Sequence, residues 1–277
     1  MNFRDKTIIK TDPFLSVVMA VHNREKYLRE AIESVLNQTY ENFEFFLIND
    51  GSNDNSWEII KSYAEIDSRI VCINNHKNLG QSLARNVAIK KAQGEYVIIA
   101  DSDDICLPSR FENQLKYFKE HSLEVDVLGS FFCLFTDGDI NKCESVPVSI
   151  SDLNDGKPPV HNPTCMIKRS IFSNNGYYDS KYDNAEDYEL WSRWSSRGVR
   201  FHNLHEVLYK KRNHSGCVST ERIRHQNYLM TKINIIAIIK YHRRFTIAGY
   251  LRILEQLFYF IYLLLRLDKV YKKSGKY

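Results

Sequence analysis

Four consecutive positions, Asp101-Ser102-Asp103-Asp104, put three carboxylates directly after the apolar run Tyr96-Val97-Ile98-Ile99-Ala100. Like charges this close repel, so each needs a partner that keeps it ionised. Carboxylate oxygens are hard ligands, and a divalent cation shared with phosphate oxygens would satisfy them. The cluster therefore points to a nucleotide or sugar-phosphate site. Two more polar clusters, His22-Asn23 and Asp50-Gly51-Ser52, also follow apolar runs.

The elements that must hold these clusters are legible from hydrophobic patterning. Leu15 to Val21 is a short apolar run rich in Val and reads as a buried parallel strand. Apolar residues then recur at helical spacing from Arg24 to Leu36, with Asn23 placed as the cap. Phe43 to Ile48 is a second strand, followed by a helix over 55–64 with Asp54 as its cap. Arg69 to Ile73, Gln81 to Ala92 and Glu95 to Ala100 read as strand, helix and strand. This alternation predicts a parallel sheet with helices on both faces, and such sheets bind ligands at the carboxyl ends of their strands. All three polar clusters fall on that rim.

Beyond residue 104 the pattern is less regular. A helix is expected from Pro108 to Glu120, a strand over 125–135, and a loop over 137–159 long enough to form a lid. A strand over 163–167, a helix from Glu186 ended by Gly198, and strand-like residues to Tyr209 follow.

The chain has 277 residues and a net charge of +4, unevenly spread. Residues 1–220 carry a balance of −5, and residues 221–277 a balance of +9. The basic end is also dense in Leu, Phe, Tyr and Ile between Leu251 and Leu267, a composition that lies in a membrane interface rather than crossing it. The longest apolar run, Leu257 to Leu265, is far short of the roughly 20 residues of a spanning helix. No apolar leader is visible at Met1 to Lys6. The six cysteines show no metal-ligand spacing and read as small core residues in a reducing compartment.

The ordered motifs resemble the family 2 glycosyltransferases, inverting enzymes with a GT-A fold. The residues that carry the resemblance are Ser16 to Asn23, Ala31 to Tyr40, Asn49 to Asp54, Asn78 to Asn86, Gly94-Glu95-Tyr96, Asp101 to Asp104 with Leu107-Pro108, His161 to Thr164, and Ala185 to Trp191. They span residues 14 to 215. The match departs from the usual pattern at Ala20-Val21-His22-Asn23, where the family commonly has Pro and Tyr before the Asn.

The resemblance implies an α/β, mostly parallel sheet with a C-terminal helical extension. The expected division is a leader (1–13), a catalytic domain (14–215, with a nucleotide-binding half over 14–104 and an acceptor half over 105–215), and, outside the shared domain and read from its composition, a basic membrane-associating tail (216–277). The resemblance further implies that Ala20, His22, Asn23, Glu25, Asp50, Arg85, Asp101, Ser102 and Glu186 bind the nucleotide-sugar. Asp50 would accept the base N3–H, and Arg85 would hold the diphosphate or the base. Asp103, with His214, would hold Mn²⁺ or Mg²⁺ bridging the two phosphates. Asp187 would be the base that takes the acceptor's proton. Tyr188, Trp191 and Trp194 read as core rather than as a sugar platform.

The expected activity is sugar transfer from a nucleotide donor, with UDP favoured, to a saccharide or lipid-linked acceptor of bacterial surface polysaccharide. The expected location is cytoplasmic, peripheral on the inner face of the plasma membrane, with the tail on anionic lipid. No nucleic-acid recognition motif is present in the sequence. The alternatives are a non-catalytic nucleotide-sugar-binding module and a sugar-1-phosphate nucleotidyltransferase. The second would need a Gly-rich phosphate loop near the first strand, where this chain has Ala20-Val21-His22-Asn23-Arg24.

Overall fold

The computed structural model describes residues 12–136, 144–214 and 223–258. Most of the N-terminal leader, the start of the long loop, Cys143, Cys217 and the chain after Phe258 lie outside the described residues.

The first half alternates as the patterning predicts: β1 (Leu15–Val21), α1 (Leu28–Leu36), β2 (Phe43–Asp50), α2 (Ser56–Ala64), β3 (Ile70–Asn75), α3 (Gln81–Lys91) and β4 (Tyr96–Ile99). β1 pairs in parallel with β2 and β4, and β2 pairs in parallel with β3. Strand side chains alternate between faces, and here both faces are covered. Val17, Met19, Phe45, Leu47 and Ile98 enter one core, while Val18, Phe46, Ile48, Val97 and Ile99 enter the other. That is why these strands read as continuous apolar runs.

The second half adds β5 (Ile105–Cys106), α4 (Arg110–His121), β6 (Val127–Thr136), β7 (Glu144–Val146), β8 (Met166–Lys168), α5 (Arg169–Asn175), α6 (Glu186–Ser195), β9 (Phe201–Asn213) and α7 (Ile223–Tyr241). The sheet order is β3-β2-β1-β4-β8-β6-β9-β5, with β7 on β6. β8 runs antiparallel to both β4 and β6, whereas β6 and β9 are parallel. One pairing matters most for the site. β5 lies antiparallel to β9, with Ile105 opposite Lys210. The end of β9 is thereby returned to the acidic turn Asp101 to Asp104.

Four readings need correction. First, α1 starts at Leu28, not Arg24. Asn23 is in the left-handed region at φ 53°, and Arg24 opens a turn whose carbonyl accepts the Leu28 N–H at 2.9 Å. Asn23 is therefore not the helix cap. Second, the described part of the long loop is packed. Leu153 is buried with Ala185, Tyr188, Leu229 and Ile233, and Asn203 Nδ2 donates to the carbonyls of Val148 and Pro159 at 3.2 and 2.8 Å. Third, α7 is not a free tail. It lies on α6, where Tyr188 Oη donates to Asn234 Oδ1 at 2.5 Å and Arg243 donates to the Ser192 carbonyl at 2.8 Å. Fourth, Cys72, Cys106 and Cys165 are free thiols but Cys133 is disulfide-bonded. Spacing along a chain does not reveal which cysteines meet in space. Among the described residues no helix is long and apolar enough to cross a membrane.

Candidate active site

The strand-end loops of β1 and β2 are tied to each other. His22 Nδ1 pairs with the Asp50 carbonyl at 2.9 Å. Asn23 N–H donates to Ser52 Oγ at 3.1 Å, and Asn23 Oδ1 accepts the Asn53 N–H at 2.8 Å. Glu25 reaches across to the α2 end, accepting from Asn55 N–H at 3.0 Å and Asn55 Nδ2 at 2.8 Å. It lines a shallow depression with Arg29, Glu58 and Ile59 on that flank. Ala20 sits half-buried near the end of β1, opposite Ile48. Asp50 is 3% exposed. Its carboxylate accepts from Asn75 Nδ2 and from the Leu79 and Gly80 N–H groups at 2.9, 3.1 and 3.0 Å. It organises the loop before α3.

Gly80 is required in that loop. Its φ is +89°, and a Cβ there would lie 2.2 Å from Asp183 Oδ2. The close approach lets Asp183 accept from the Ser82 hydroxyl at the start of α3. It brings the chain before α6 against the donor rim.

The acidic turn sends its three carboxylates to separate partners. Asp101 turns to Arg85 Nη2 at 2.7 Å. Asp103 Oδ2 meets Arg24 Nε at 2.9 Å and His214 Nε2 at 3.1 Å. Asp104 is 5% exposed and accepts the Arg212 N–H at 2.8 Å. Burial pushes the Asp104 carboxyl well above the usual carboxylate range, and Asp103 and Asp101 push it further. Ser102 is buried between them. Arg212 also donates to the Asp103 carbonyl at 3.0 Å, pairs with Glu30, and lies over the rings of Tyr27 and Phe135 at 4.8 and 4.5 Å. The Tyr27 ring packs in turn on His214, with centroids 4.6 Å apart.

The second acidic station opens α6. Glu186 is 6% exposed. It accepts from Arg85 Nη1 at 3.2 Å and from the Asn184 N–H at 2.8 Å. Asp187 Oδ1 accepts the Tyr188 N–H at 2.7 Å, in the first helical turn where negative charge is favoured. Burial raises the Glu186 carboxyl and Asp187 raises it further, while Arg85 opposes them. Burial also raises Asp187, against the Tyr188 N–H and Arg85.

Arg85 is the hub. Its side chain is 2% exposed and bridges Asp101 to Glu186. It lies over the Tyr178 ring at 5.7 Å. Tyr178 Oη is fixed by Asn162 Oδ1 at 2.9 Å, the Asn of the His161 to Thr164 motif. Burial alone would lower the guanidinium's pKa, but Asp101, Tyr178 and Glu186 outweigh it. With its amide oriented by these neighbours, Gln81 Nε2 donates to Glu186 at 3.1 Å. Arg85, expected to hold the diphosphate or the base, here pairs with two carboxylates.

Asp101, Arg85 and Glu186 thus form one line of contacts from the β4 end to the start of α6, and Asp103, Arg24 and His214 a second group beside it, while Asp187 follows Glu186 on α6 and Glu25 lies on the outer flank. Sequence reading missed Arg24 and Arg212. Arg212 sits in Lys210-Lys211-Arg212 and reads as a solvated strand end, yet it is 6% exposed. The signal available was only the neighbourhood of His22-Asn23 and of His214. Trp191, Trp194 and Tyr188 are buried core, as expected.

The donor set suits a divalent cation. A carboxylate oxygen fits Mg²⁺ or Mn²⁺, and an imidazole nitrogen beside it favours the transition metal. Among the described residues no three His, Cys, Asp or Glu side chains converge as ligands. Asp103 and His214 would need phosphate and water oxygens to complete the shell.

A nucleotide-type α/β sheet with acidic stations at the β4 end and the α6 start defines a GT-A sugar transferase. The profile of the family described as Glycosyl transferase family 2 matches residues 16–176, and the chain belongs to that family. It is 39% identical over 209 residues to an uncharacterised glycosyltransferase of Methanocaldococcus jannaschii, covering 72% of this chain and 71% of that one. It is 29% identical over 233 residues to the Escherichia coli UDP-Glc:alpha-D-GlcNAc-diphosphoundecaprenol beta-1,3-glucosyltransferase WfaP, covering 83% and 89%. The fold matches the Pyrobaculum calidifontis mannosyltransferase PcManGT, solved with GDP-Man and Mn²⁺. That match has a TM-score of 0.66 at 17% identity and covers 89% of this chain and 69% of the other. The protein is a glycosyltransferase.

Proposed function

We propose that the enzyme moves a sugar, with inversion, from a UDP-linked donor to an acceptor hydroxyl on a lipid-linked saccharide of bacterial surface polysaccharide. The observation that carries this is one buried arginine, Arg85, that ties Asp101 of the acidic turn to Glu186 at the start of α6. Asp103 and His214 form the metal-side station, and Glu186-Asp187 the acceptor-side station. WfaP, whose name gives a UDP-sugar and a lipid-diphosphate acceptor, supports the substrate class.

Asp187 takes the proton from the acceptor oxygen as that oxygen attacks the anomeric carbon. Its raised affinity for a proton suits that task. Glu186 and Arg85 orient the helix start that presents it. Asp103 and His214 would hold Mn²⁺ or Mg²⁺, which supplies charge neutralisation to the departing nucleoside diphosphate. His22, Asn23 and Asp50 shape the base-side loops, where Ala20 and Ser102 line the rim. Asp187→Asn should lower transfer by about 10²–10⁴-fold, with UDP affinity by calorimetry unchanged. Equal transfer by wild type and variant would remove Asp187 from the role of base. A panel of UDP-, GDP- and dTDP-sugars in a thermal-shift assay reads the donor.

The described end of the tail favours an anionic membrane surface on the cytoplasmic side as the enzyme's seat. In the helical segment 247–258, Ile247, Leu251, Leu254 and Phe258 share one face and are 81%, 55%, 48% and 69% exposed. Ile253, on the opposite face, packs with Ala237 and Phe245. Arg244 and Arg252 lie in the same stretch. Removing residues 241–277 would strip packing from α7, so Leu251→Glu/Phe258→Glu is the cleaner probe. The doubly substituted protein should fail to sediment with phosphatidylglycerol vesicles that retain wild type. Equal sedimentation would sink this anchor.

A further inference from the structure

Arg24 is a cation in direct contact with the residue that best fits a metal. Its Nε donates to Asp103 Oδ2 at 2.9 Å, and its Nη1 donates to the carbonyls of Asn23 at 3.0 Å and His22 at 3.4 Å. The same Asp103 oxygen meets His214 Nε2 at 3.1 Å. The two side chains that share this oxygen differ in kind. An imidazole has a lone pair and can become a metal ligand, whereas a guanidinium has none. Next to a bound dication a guanidinium is only a like charge.

We infer that Arg24 and the divalent cation compete for the Asp103 carboxylate, and that Arg24 exchanges this carboxylate for the donor's diphosphate when metal and nucleotide bind together. The inference rests on the metal reading at Asp103 and His214. Arg24 is positioned for the exchange. Its side chain is 20% exposed, so the guanidinium borders solvent. Its backbone N–H is anchored separately, on Ser56 Oγ at 2.9 Å, so the side chain can turn without moving the loop. Phosphate oxygens match the fork of a guanidinium, so the outgoing contact is replaced in kind. The carbonyls of His22 and Asn23 that Arg24 now holds belong to the loop beside Asp50. The exchange therefore links cation binding to release of the loop expected to cover the base. A metal that binds only after Arg24 leaves has its apparent affinity reduced by the fraction of molecules in which Arg24 is already away. Nucleotide removes that reduction by giving Arg24 a second partner.

The test is Mn²⁺ titration of the full-length protein, read by loss of the free-ion electron paramagnetic resonance signal, with and without UDP. Arg24→Met should bind Mn²⁺ roughly tenfold more tightly than wild type without nucleotide, if about nine molecules in ten hold the pair. Arg24→Lys keeps the charge and should stay near wild type. With UDP present the advantage of Arg24→Met should vanish, and its UDP affinity at saturating Mn²⁺ should fall. An identical Mn²⁺ affinity for wild type and Arg24→Met without nucleotide would overturn the competition. Undiminished UDP affinity in Arg24→Met would overturn the exchange. Asp103→Asn separates the two levels: if it binds Mn²⁺ as wild type does, the metal reading itself fails, and the Arg24 inference falls with it.

Discussion

The two acidic stations of this enzyme share a side-chain type but differ in how many basic partners they hold. At the β4 end three carboxylates diverge, Asp101 to Arg85, Asp103 to Arg24 and His214, and Asp104 to the Arg212 backbone. At the start of α6 two carboxylates converge, and Arg85 is the guanidinium that Glu186 contacts. In the first region Asp101 and Asp103 have basic partners, while burial and those two carboxylates push Asp104 toward holding a proton. In the second, burial outweighs the partner, and both Glu186 and Asp187 are pushed toward holding a proton. On the proposed reading, environment rather than residue identity would separate a metal ligand from a proton acceptor.

Arg85→Met tests the comparison most severely, because it removes the shared cation from both stations at once. Breaking a buried pair while leaving its carboxylates in place costs about 3–5 kcal/mol. Denaturant unfolding at neutral pH should show that loss, and Arg85→Met/Glu186→Gln should recover part of it. A loss under about 1 kcal/mol would mean that the bridge is slack.

A paired carboxylate far from the site provides the contrast. Asp126 accepts from Arg200 at 2.8 Å and from Lys168 at 3.2 Å. Burial raises its pKa, but the Arg200 hydrogen bonds prevail and bring it down to about 2. A depressed carboxylate stabilises the fold above its unfolded pKa and loses that contribution as pH falls through the folded value. Asp126→Asn should therefore cost about 2 kcal/mol at pH 7. The difference from wild type should close between about pH 4 and pH 2. A pH-independent difference would mean that Asp126 acts through packing alone.

The smallest effect falls on the pH profile of transfer. As the proposed base, Asp187 must be ionised to accept a proton, so its raised pKa predicts activity that climbs as pH rises through it. Glu186→Gln removes a competing carboxylate and frees Arg85 for Asp187. The acidic limb of kcat/KM should move to lower pH by about half a unit. An unmoved limb would place the titrating group elsewhere.

The nucleotide half was legible because its strands are buried on both faces and its helices amphipathic. Asp50, Asp101, Asp103 and Asp187 stood out as candidates because each ends, follows or begins such an element. Less visible were the partners. Arg24 and Arg212 look like solvated cations in sequence, and only β5 pairing with β9 carries Arg212 and His214 to the acidic turn. The basic tail read as a separate appendage because its composition is amphipathic. Its first helix is held by Tyr188 and the chain just after it by Ser192, both on α6, contacts that composition does not encode.

By itself the sequence determined the alternation of strands and helices and the acids that fall at the strand ends. These follow from local periodicity and from chain order. Tertiary structure alone decided which acid met which cation. Arg85 lies 16 residues from Asp101 and 101 residues from Glu186, yet it touches both. Charges in a protein respond to neighbours in space and to the loss of water around them, and neither is a property of order along the chain.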